Sequence, residues 1–199
     1  MNIQPVVEGH GEVDAIPVLL RRFLAEAGVH QVSVGKPIRR KRSELVQEAS
    51  VRRSVRLALL QPNCGGILIV FDSDDDCPRE LAPQIELWAR TEAGAVPCAI
   101  VMAHREYEAW FLASLEALRG VRGIVKDAAS HPDPEGPRNA KGELRRHMVS
   151  GRGYSESVDQ AAMTARMDFG EAHRRCRSFR KMVKAFGDVL GSMGEALVP

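Results

Sequence analysis

The sequence is poor in several features that would assign it to a specialised class of protein. Aromatic residues make up only 5% of its 199 residues, and no apolar run approaches the length that crosses a bilayer. The N-terminus has no basic segment followed by an apolar one, so we expect no signal peptide, a cytoplasmic location and no membrane partner. The four cysteines form no Cys-x-x-Cys pair, which predicts reduced thiols rather than disulfides or structural zinc.

The formal net charge of +2 says little, but the charges are unevenly distributed. The first basic cluster comprises Lys36, Arg39, Arg40, Lys41, Arg42, Arg52, Arg53 and Arg56. The second basic cluster comprises Arg174, Arg175, Arg177, Arg180, Lys181 and Lys184. Against them stands an acidic segment, Asp72-Ser73-Asp74-Asp75-Asp76. Basic surfaces beside an acidic site are typical of nucleic-acid enzymes, although each basic cluster alone is more simply explained as a solvated helix face.

Apolar runs and helical spacing alternate along the first half of the chain. Short apolar runs at residues 2–7, 29–38, 66–71 and 96–102 predict four strands. Helical spacing at residues 12–27, 43–61, 78–93 and 106–118 predicts a helix after each strand, with Ser43 as a cap and Pro78 at a helix start. This alternation predicts an α/β fold of Rossmann-like type, with a mostly parallel four-stranded sheet flanked by helices.

The composition changes after residue 118. Residues 127–142 are rich in proline and glycine and predict an irregular loop. The helical segment beyond it carries one apolar stripe, made of Phe179, Met182, Val183, Phe186, Val189 and Leu190. We therefore predict an α/β domain over residues 1–118, and a loop with a helical C-terminal extension over residues 119–199 that packs on it.

Acidic residues follow two of the predicted strands directly. Glu8 and Glu12 follow the first strand, in Val6-Val7-Glu8-Gly9-His10-Gly11-Glu12, and Asp72 and Asp74 follow the third. The carboxyl ends of parallel strands form the ligand crevice of an open sheet, so the four carboxylates converge if these strands are neighbours. Crowded carboxylates repel one another, and oxygen ligands suit magnesium. The pattern predicts a magnesium or manganese site for phosphate chemistry.

Each of the two motifs has a simpler explanation when it is taken alone. A Glu-Gly pair at a strand end is common turn chemistry, and a run of aspartates often caps a helix N-terminus. Gly9 and Gly11 would permit a tight turn and the close approach of a phosphate. No Gly-Lys-Ser/Thr follows them, so the segment is not a P-loop.

The Glu8-Gly9 motif after the first strand and the Asp72-x-Asp74 motif after the third resemble the Toprim domain. Topoisomerases, DnaG-type primases, recombination-mediator proteins and the OLD-family nucleases share this domain. Further stretches are similar to a bacterial Toprim-like family allied to the OLD nucleases and linked with ATPases in phage defence. These stretches are Glu106-Tyr107-Glu108-Ala109-Trp110-Phe111-Leu112, Gly153-Tyr154 through Asp159-Gln160-Ala161, and Cys176-Arg177-Ser178-Phe179. The resemblance extends over nearly the whole chain.

The resemblance implies roles for individual acidic residues. It implies that Glu8, Asp72 and Asp74 are catalytic, with Glu8 as a metal ligand and an acid or base. It implies metal ligands at Glu8, Glu12, Asp72, Asp74 and Glu106, with Glu108 as an alternative to Glu106. One or two Mg²⁺ or Mn²⁺ ions would be the cofactor; two would activate water and stabilise the leaving oxygen. No lysine follows the fourth strand directly, which leaves Arg105 as the nearest phosphate partner.

The function that these features favour is metal-dependent hydrolysis of phosphodiester bonds in nucleic acid, with DNA as the expected substrate. An ATPase partner and a role in phage defence are implied by the resemblance alone. Primase-like nucleotidyl transfer or another metal-dependent phosphotransfer is an alternative from a different enzyme class. A non-enzymatic, regulatory subunit of an ATPase complex is a third. The roles of Asp76, His104, Glu108 and Tyr154 are open at this stage.

Overall fold

The computed structural model describes residues 1–194, in which a parallel sheet lies between two layers of helices. Its strands are β1 (Asn2–Val7), β2 (Ser33–Val34), β3 (Ile38–Arg39), β4 (Cys64–Asp72) and β5 (Cys98–Ala103). The strand order is β2-β1-β4-β5, and β3 also pairs with β1. All of these pairings are parallel. The predicted Rossmann-like α/β fold is confirmed.

Side chains alternate between the two faces of the sheet, as the period of a strand requires. In β4, Ile67, Ile69 and Phe71 pack with α3 and α4, whereas Leu68 and Val70 lie on the face that α1 and α9 cover. The helices are α1 (His10–Glu26), α2 (Arg42–Leu45), α3 (Glu48–Leu59), α4 (Pro78–Ala93), α5 (Ala109–Leu112), α6 (Ala140–Arg146), α7 (Glu156–Thr164), α8 (Phe169–Arg175) and α9 (Arg177–Ser192). None of them is long and apolar enough to cross a membrane.

The strand predicted at residues 29–38 is wrong in detail, because the structure divides it into β2 and β3. Both lie alongside β1, with Ile3 opposite Val34 and Val6 opposite Ile38. Pro37 separates the two pieces and has no N–H to donate to a ladder. The side-chain Nε2 of Gln4 donates instead to the carbonyl of Lys36 at 2.6 Å. The broken strand occupies one edge of the sheet, so the layer has the four strand positions that were predicted.

Two of the predicted helices are also divided. Residues 42–59 form α2 and α3 rather than one helix, and Lys41 and Gln47 occupy the cap positions instead of Ser43. The helix predicted at residues 106–118 is reduced to α5 and a 3₁₀ turn over Leu115–Leu118. This helix stops because the N–H of Leu115 donates to Oγ of Ser130 at 3.0 Å rather than to a helical carbonyl.

Two other helices begin or end close to the predicted residues. Helix α4 begins at Pro78, as predicted. Helix α1 begins two residues before the predicted Glu12 and continues past Pro17, which lies beyond its first turn. Gly28 then adopts a φ of +66° and ends the helical segment, a conformation that glycine takes with little strain.

The C-terminal part of the chain packs on the sheet. Helix α9 lies against β4 and β5, and its stripe, including Phe179, Met182 and Phe186, is buried. Helix α7 lies against α1. The predicted loop contains no helix or strand from residue 127 to residue 139, after which α6 begins. The division into parts at residue 118 stays a prediction, and residues 195–199 of the predicted extension lie outside the described residues.

Candidate active site

Glu8 and Asp72 lie side by side at the carboxyl edge of the sheet. Strands β1 and β4 are neighbours, with Val7 opposite Val70, and each carboxylate comes at or directly after its strand's end. From β1 the chain continues through α1 to the β2 edge, and from β4 it continues through α4 to β5 on the other side. The two residues therefore flank the point where the connections diverge, which is the usual ligand crevice of an open α/β sheet.

Glu12 lies in the first turn of α1 and closes the helix N-terminus. Its Oε2 accepts hydrogen bonds from the backbone N–H groups of Glu8 and Gly9, both at 2.9 Å. Gly9 at the cap position has no side chain to accept from the first helical turn, so Glu12 supplies only the half of a capping box that reaches back to the cap N–H. Burial raises the pKa of Glu12 to about 7; the two N–H groups oppose the shift, while Glu8 and Glu108 add to it.

Asp72 is largely buried, with 13% of its side chain exposed. Its Oδ1 accepts a hydrogen bond from the N–H of Tyr107 at 2.9 Å, so the turn after β5 fixes its orientation. Its Oδ2 lies 3.9 Å from Nζ of Lys141. Burial raises the pKa of Asp72 well above its ordinary value, with further contributions from Glu12 and Glu108.

Glu108 is fully buried at the start of α5 and belongs to the same acidic cluster. Its Oε1 accepts hydrogen bonds from the hydroxyl of Tyr154 at 2.7 Å and from Nε2 of Gln160 at 3.4 Å. Burial raises the pKa of Glu108 to about 7, which Lys141 and Tyr154 partly oppose. The role of Tyr154 that the sequence left open is thus to hold Glu108.

Glu106 faces the start of α6 rather than the centre of the cluster. Its Oε2 accepts a hydrogen bond from the backbone N–H of Lys141 at 2.8 Å, and its Oε1 lies 3.9 Å from Nζ of the same residue. The sequence predicted a metal ligand at Glu106 or Glu108, and the structure gives these two side chains different surroundings. Glu106 positions Lys141, whereas Glu108 points into the buried cluster.

Lys141 is the functional candidate that the sequence reasoning missed. Its Nζ lies 2.9 Å from Oε1 of Glu156 and 3.9 Å from both Asp72 and Glu106. Burial would lower its pKa, but the surrounding carboxylates, with Glu108 foremost, outweigh this and raise it. Its partners come from distant parts of the chain, so no local motif reveals it. Arg105, the expected phosphate partner, instead donates to the carbonyl of Gly136 at 2.7 Å.

Asp74 lies at the exposed rim of the crevice, with 57% of its side chain exposed and a φ of +48°. Nε of Arg42 donates to its Oδ2 at 2.7 Å, and Nη2 of Arg42 pairs with Asp76. The negative charge of Asp74 still reaches Glu8: burial raises the pKa of Glu8, Asp74 adds to the shift, and Arg42 opposes it. Asp76 is thereby placed as a second partner of Arg42.

Several oxygens in the crevice have no hydrogen-bond partner among residues 1–194. They are Oε2 of Glu8, Oε2 of Glu108 and Oε1 of Gln160, all buried. Such acceptors are costly to leave without a donor or a cation. Even so, within the described part of the chain no three His, Cys, Asp or Glu side chains are arranged to hold a metal ion. The expected ligands lie around one crevice, but Glu12, Asp74 and Glu106 each accept a hydrogen bond from a different donor.

Gly11 has a different role from the one expected. A Cβ on Gly11 would meet the side-chain oxygen of Gln160 and would lie 2.7 Å from the backbone oxygen of Glu156. The space in front of Gly11 is thus filled by α7, and the glycine serves helix packing rather than the approach of a phosphate. Its effect on the site is indirect, because this packing brings Gln160 and Glu156 into the acidic cluster.

Comparison with known proteins places the chain in a family. The profile of a family described as "Domain of unknown function (DUF4276)" matches residues 7–186. No curated protein and no solved structure matches the chain. The family description names no activity, so the resemblance to Toprim nucleases stays a prediction. Since the matched segment spans most of the sequence and includes Glu8, Asp72, Glu108 and Lys141, the chain belongs to the DUF4276 family.

Proposed function

We propose that the protein hydrolyses phosphodiester bonds in nucleic acid, with DNA as the first candidate substrate, and that it depends on Mg²⁺ or Mn²⁺. The observation that carries the proposal is the buried acidic crevice beyond β1 and β4, where one oxygen each of Glu8 and Glu108 has no partner in the described structure. Buried carboxylates that raise one another's pKa favour the binding of a cation.

The chemistry of the crevice fits a divalent magnesium-type ion. The side chains that surround it offer oxygen ligands, and Lys141 balances only part of their charge. Glu8 and Asp72 would hold the ion, with Glu108 or Glu12 as a further carboxylate. Asp74 and Glu106 would join them only by leaving Arg42 and the N–H of Lys141. When bound, one or two ions would activate water and stabilise the leaving oxygen of the phosphodiester.

The chain's own groups supply the remaining parts of the mechanism. Oε2 of Glu8 is free of hydrogen bonds within residues 1–194 and can accept or return a proton in the crevice. Nζ of Lys141 lies beside Asp72 and is suited to hold a phosphate oxygen next to the carboxylates. Glu12 and Tyr107 keep the ends of β1 and β4 in place through their hydrogen bonds.

A regulatory subunit of an ATPase complex is the second candidate function. It is favoured by the cations that already offset part of the negative charge of the crevice, because Arg42 pairs with Asp74 and Lys141 lies against Asp72 and Glu156. In that function the carboxylates would organise the rim of the sheet and would need no metal. We propose the cytoplasm as the setting in either case, on the scattered spacing of the four cysteines in the sequence.

The proposal is tested by cleavage of supercoiled plasmid and of single-stranded DNA with Mg²⁺, with Mn²⁺ or with EDTA. Wild type would run beside Glu8→Gln, Asp72→Asn and a control, Asp188→Asn, which changes an exposed carboxylate paired with Lys184. We expect metal-dependent cleavage that falls by about a hundredfold or more in the two crevice variants and is unchanged in the control. Cleavage that survives in both crevice variants would overturn the proposal. No cleavage by wild type with either metal would favour the regulatory function.

A further inference from the structure

The cations of the first basic cluster fall into two groups according to their partners. Arg42, Arg52 and Arg56 are held in ion pairs, with Asp74 in the first case and Glu92 in the other two. These charges are already used in holding the rim of the crevice and in joining α3 to α4. They are therefore not free to bind a ligand without breaking contacts within the fold.

The second group has no carboxylate partner. Lys36, Arg39, Lys41 and Arg53 are exposed, and none of them forms an ion pair within residues 1–194. Arg40 beside them donates to Oγ of Ser54 at 3.2 Å and is half-buried. Exposed cations without partners give this edge of the sheet a positive potential that salt bridges do not cancel.

These unpaired cations lie next to the acidic crevice. Arg39 is opposite Val7 in the sheet, and the N–H of Arg40 donates to the carbonyl of Val7 at 2.8 Å. The residue after Val7 is Glu8, so the carboxyl end of β3, with Arg39, lies beside the crevice. The nearest carboxylate in sequence, Glu44, is tied to the backbone N–H of Lys41 at 2.9 Å.

The second basic cluster lacks this arrangement. Arg174 and Arg175 both pair with Glu171, and Lys184 pairs with Asp188. Arg180 donates to two backbone carbonyls at the end of α8. Glu171 and Asp188 therefore offset part of the cluster's charge, whereas Arg177, Arg180 and Lys181 form no ion pair among residues 1–194. The two clusters differ in their place, because the second lies on α8 and α9 rather than on the strand beside Glu8.

Resting on the proposed function, we propose that Lys36, Arg39 and Lys41 form a track for the phosphate backbone of a nucleic-acid strand, which leads the strand to the crevice at Glu8. The chain between them contains no helix, and at about 3.3 Å per residue the three positions are about 7–10 Å apart. That spacing is of the same order as the separation of neighbouring phosphates along a nucleic-acid strand. Lys36 also lines a shallow cavity of about 280 Å³ together with Arg21 and Asp14.

A polymer of regularly spaced phosphates fits this surface better than an acidic protein does. The track consists of exposed basic side chains on an extended edge, whereas Leu60 and Leu87, the most exposed large apolar side chains of the described residues, lie directly after α3 and on α4. Phosphate contacts of this kind give binding that depends strongly on salt and little on sequence.

The test measures binding of a short fluorescein-labelled single-stranded DNA by anisotropy, in EDTA, at several salt concentrations. The track variant K36E/R39E/K41E would be compared with K126E/R145E/K181E, which changes the same charge at exposed cations without ion pairs elsewhere. We expect the track variant to bind at least about tenfold more weakly at low salt. The slope of the logarithm of its binding constant against the logarithm of the salt concentration should fall in magnitude by about 2. We expect the control to stay within about twofold of wild type.

Equal weakening in the two variants, or no binding by wild type, would overturn the track. The milder variant K36Q/R39Q/K41Q guards against a folding defect, and circular dichroism would be recorded for each protein. Because EDTA removes divalent ions, binding is measured without hydrolysis. Binding through the track together with no cleavage in Mg²⁺ or Mn²⁺ would contradict the nuclease proposal alone.

Discussion

Nζ of Lys141 lies 3.9 Å from Oδ2 of Asp72, so a cation from α6 reaches the carboxylate at the end of β4. The same ammonium group is 2.9 Å from Glu156 on α7. The C-terminal part of the chain thus contributes both charge and packing to a crevice whose acidic residues come from the N-terminal strands. Because Lys141 balances the charge of these carboxylates, its replacement should change the stability of the fold, which unfolding experiments can measure.

Replacement of Lys141 by Met should destabilise the protein. It leaves the carboxylates of Asp72, Glu108 and Glu156 without their counter-ion, and we expect a loss of about 1–3 kcal/mol in the free energy of unfolding. The loss should be larger at pH 8 than at pH 5, where protonated carboxyl groups need less compensation. Urea denaturation at both pH values measures it, with Lys126→Met as the exposed control. A pH-independent loss, or one equal to that of the control, would contradict this account of the cluster.

Stability in EDTA should fall as the pH rises from about 4.5 to about 7. The pKa of Glu12 and that of Glu108 are each about 7 in the folded protein, against an ordinary value of 4.5, so the folded state binds more protons across this interval. The stabilisation from these groups is fully present below pH 4.5, their ordinary pKa in the unfolded chain, and is lost above about pH 7, their pKa in the folded protein. We expect the two groups together to lower the free energy of unfolding by several kcal/mol, measured by urea denaturation.

Two additions make the pH experiment specific. The double variant with Glu12→Gln and Glu108→Gln should show a flatter profile, because neither position then titrates. Saturating Mn²⁺ should restore stability at neutral pH, since a bound cation favours the ionised carboxylates. A wild-type profile that rises between these pH values would show that the buried carboxyl groups are not protonated as described.

Gly11→Ala should destabilise the protein even though alanine favours helices. The propensity gain is at most about 1 kcal/mol, whereas a Cβ would lie 2.7 Å from the backbone oxygen of Glu156, which cannot rotate away. We expect a net loss of about 1–3 kcal/mol in thermal or urea unfolding. Gly191→Ala in α9 is the matched control, because its Cβ would meet nothing within 4 Å, and it should be neutral or slightly stabilising. Stabilisation by both substitutions would contradict the close packing of α1 and α7.

The sequence predicted the layer and the edge of the sheet at which the site would form. Short apolar strands that end at Glu8 and Asp72 are local signals, and neighbouring parallel strands bring such ends together. The break of the edge strand at Pro37 and the early end of the helix at Leu115 were missed. The strand break follows from Pro37, a local signal that the prediction did not use. The early end of the helix depends on a contact with Ser130, 15 residues away in the sequence.

The composition of the site was less predictable than its location. Lys141 and Gln160 join the crevice through the packing of α6 and α7, and no motif within either helix indicates a partner in β4 or α5. Asp74 was expected to converge with Glu8 as a ligand, but its outward backbone conformation and its pair with Arg42 place it at the rim. These outcomes depend on tertiary packing, which spacing along one strand does not encode.

The most direct test of the central claim is calorimetric titration of the metal-free protein with Mn²⁺ at neutral pH. Wild type, Glu8→Gln, Asp72→Asn and the exposed control Asp188→Asn would be titrated side by side. The account predicts saturable binding to wild type and control, weakened about tenfold or more in each crevice variant. Binding of equal strength in all four proteins, or none to wild type, would contradict a divalent metal site between β1 and β4.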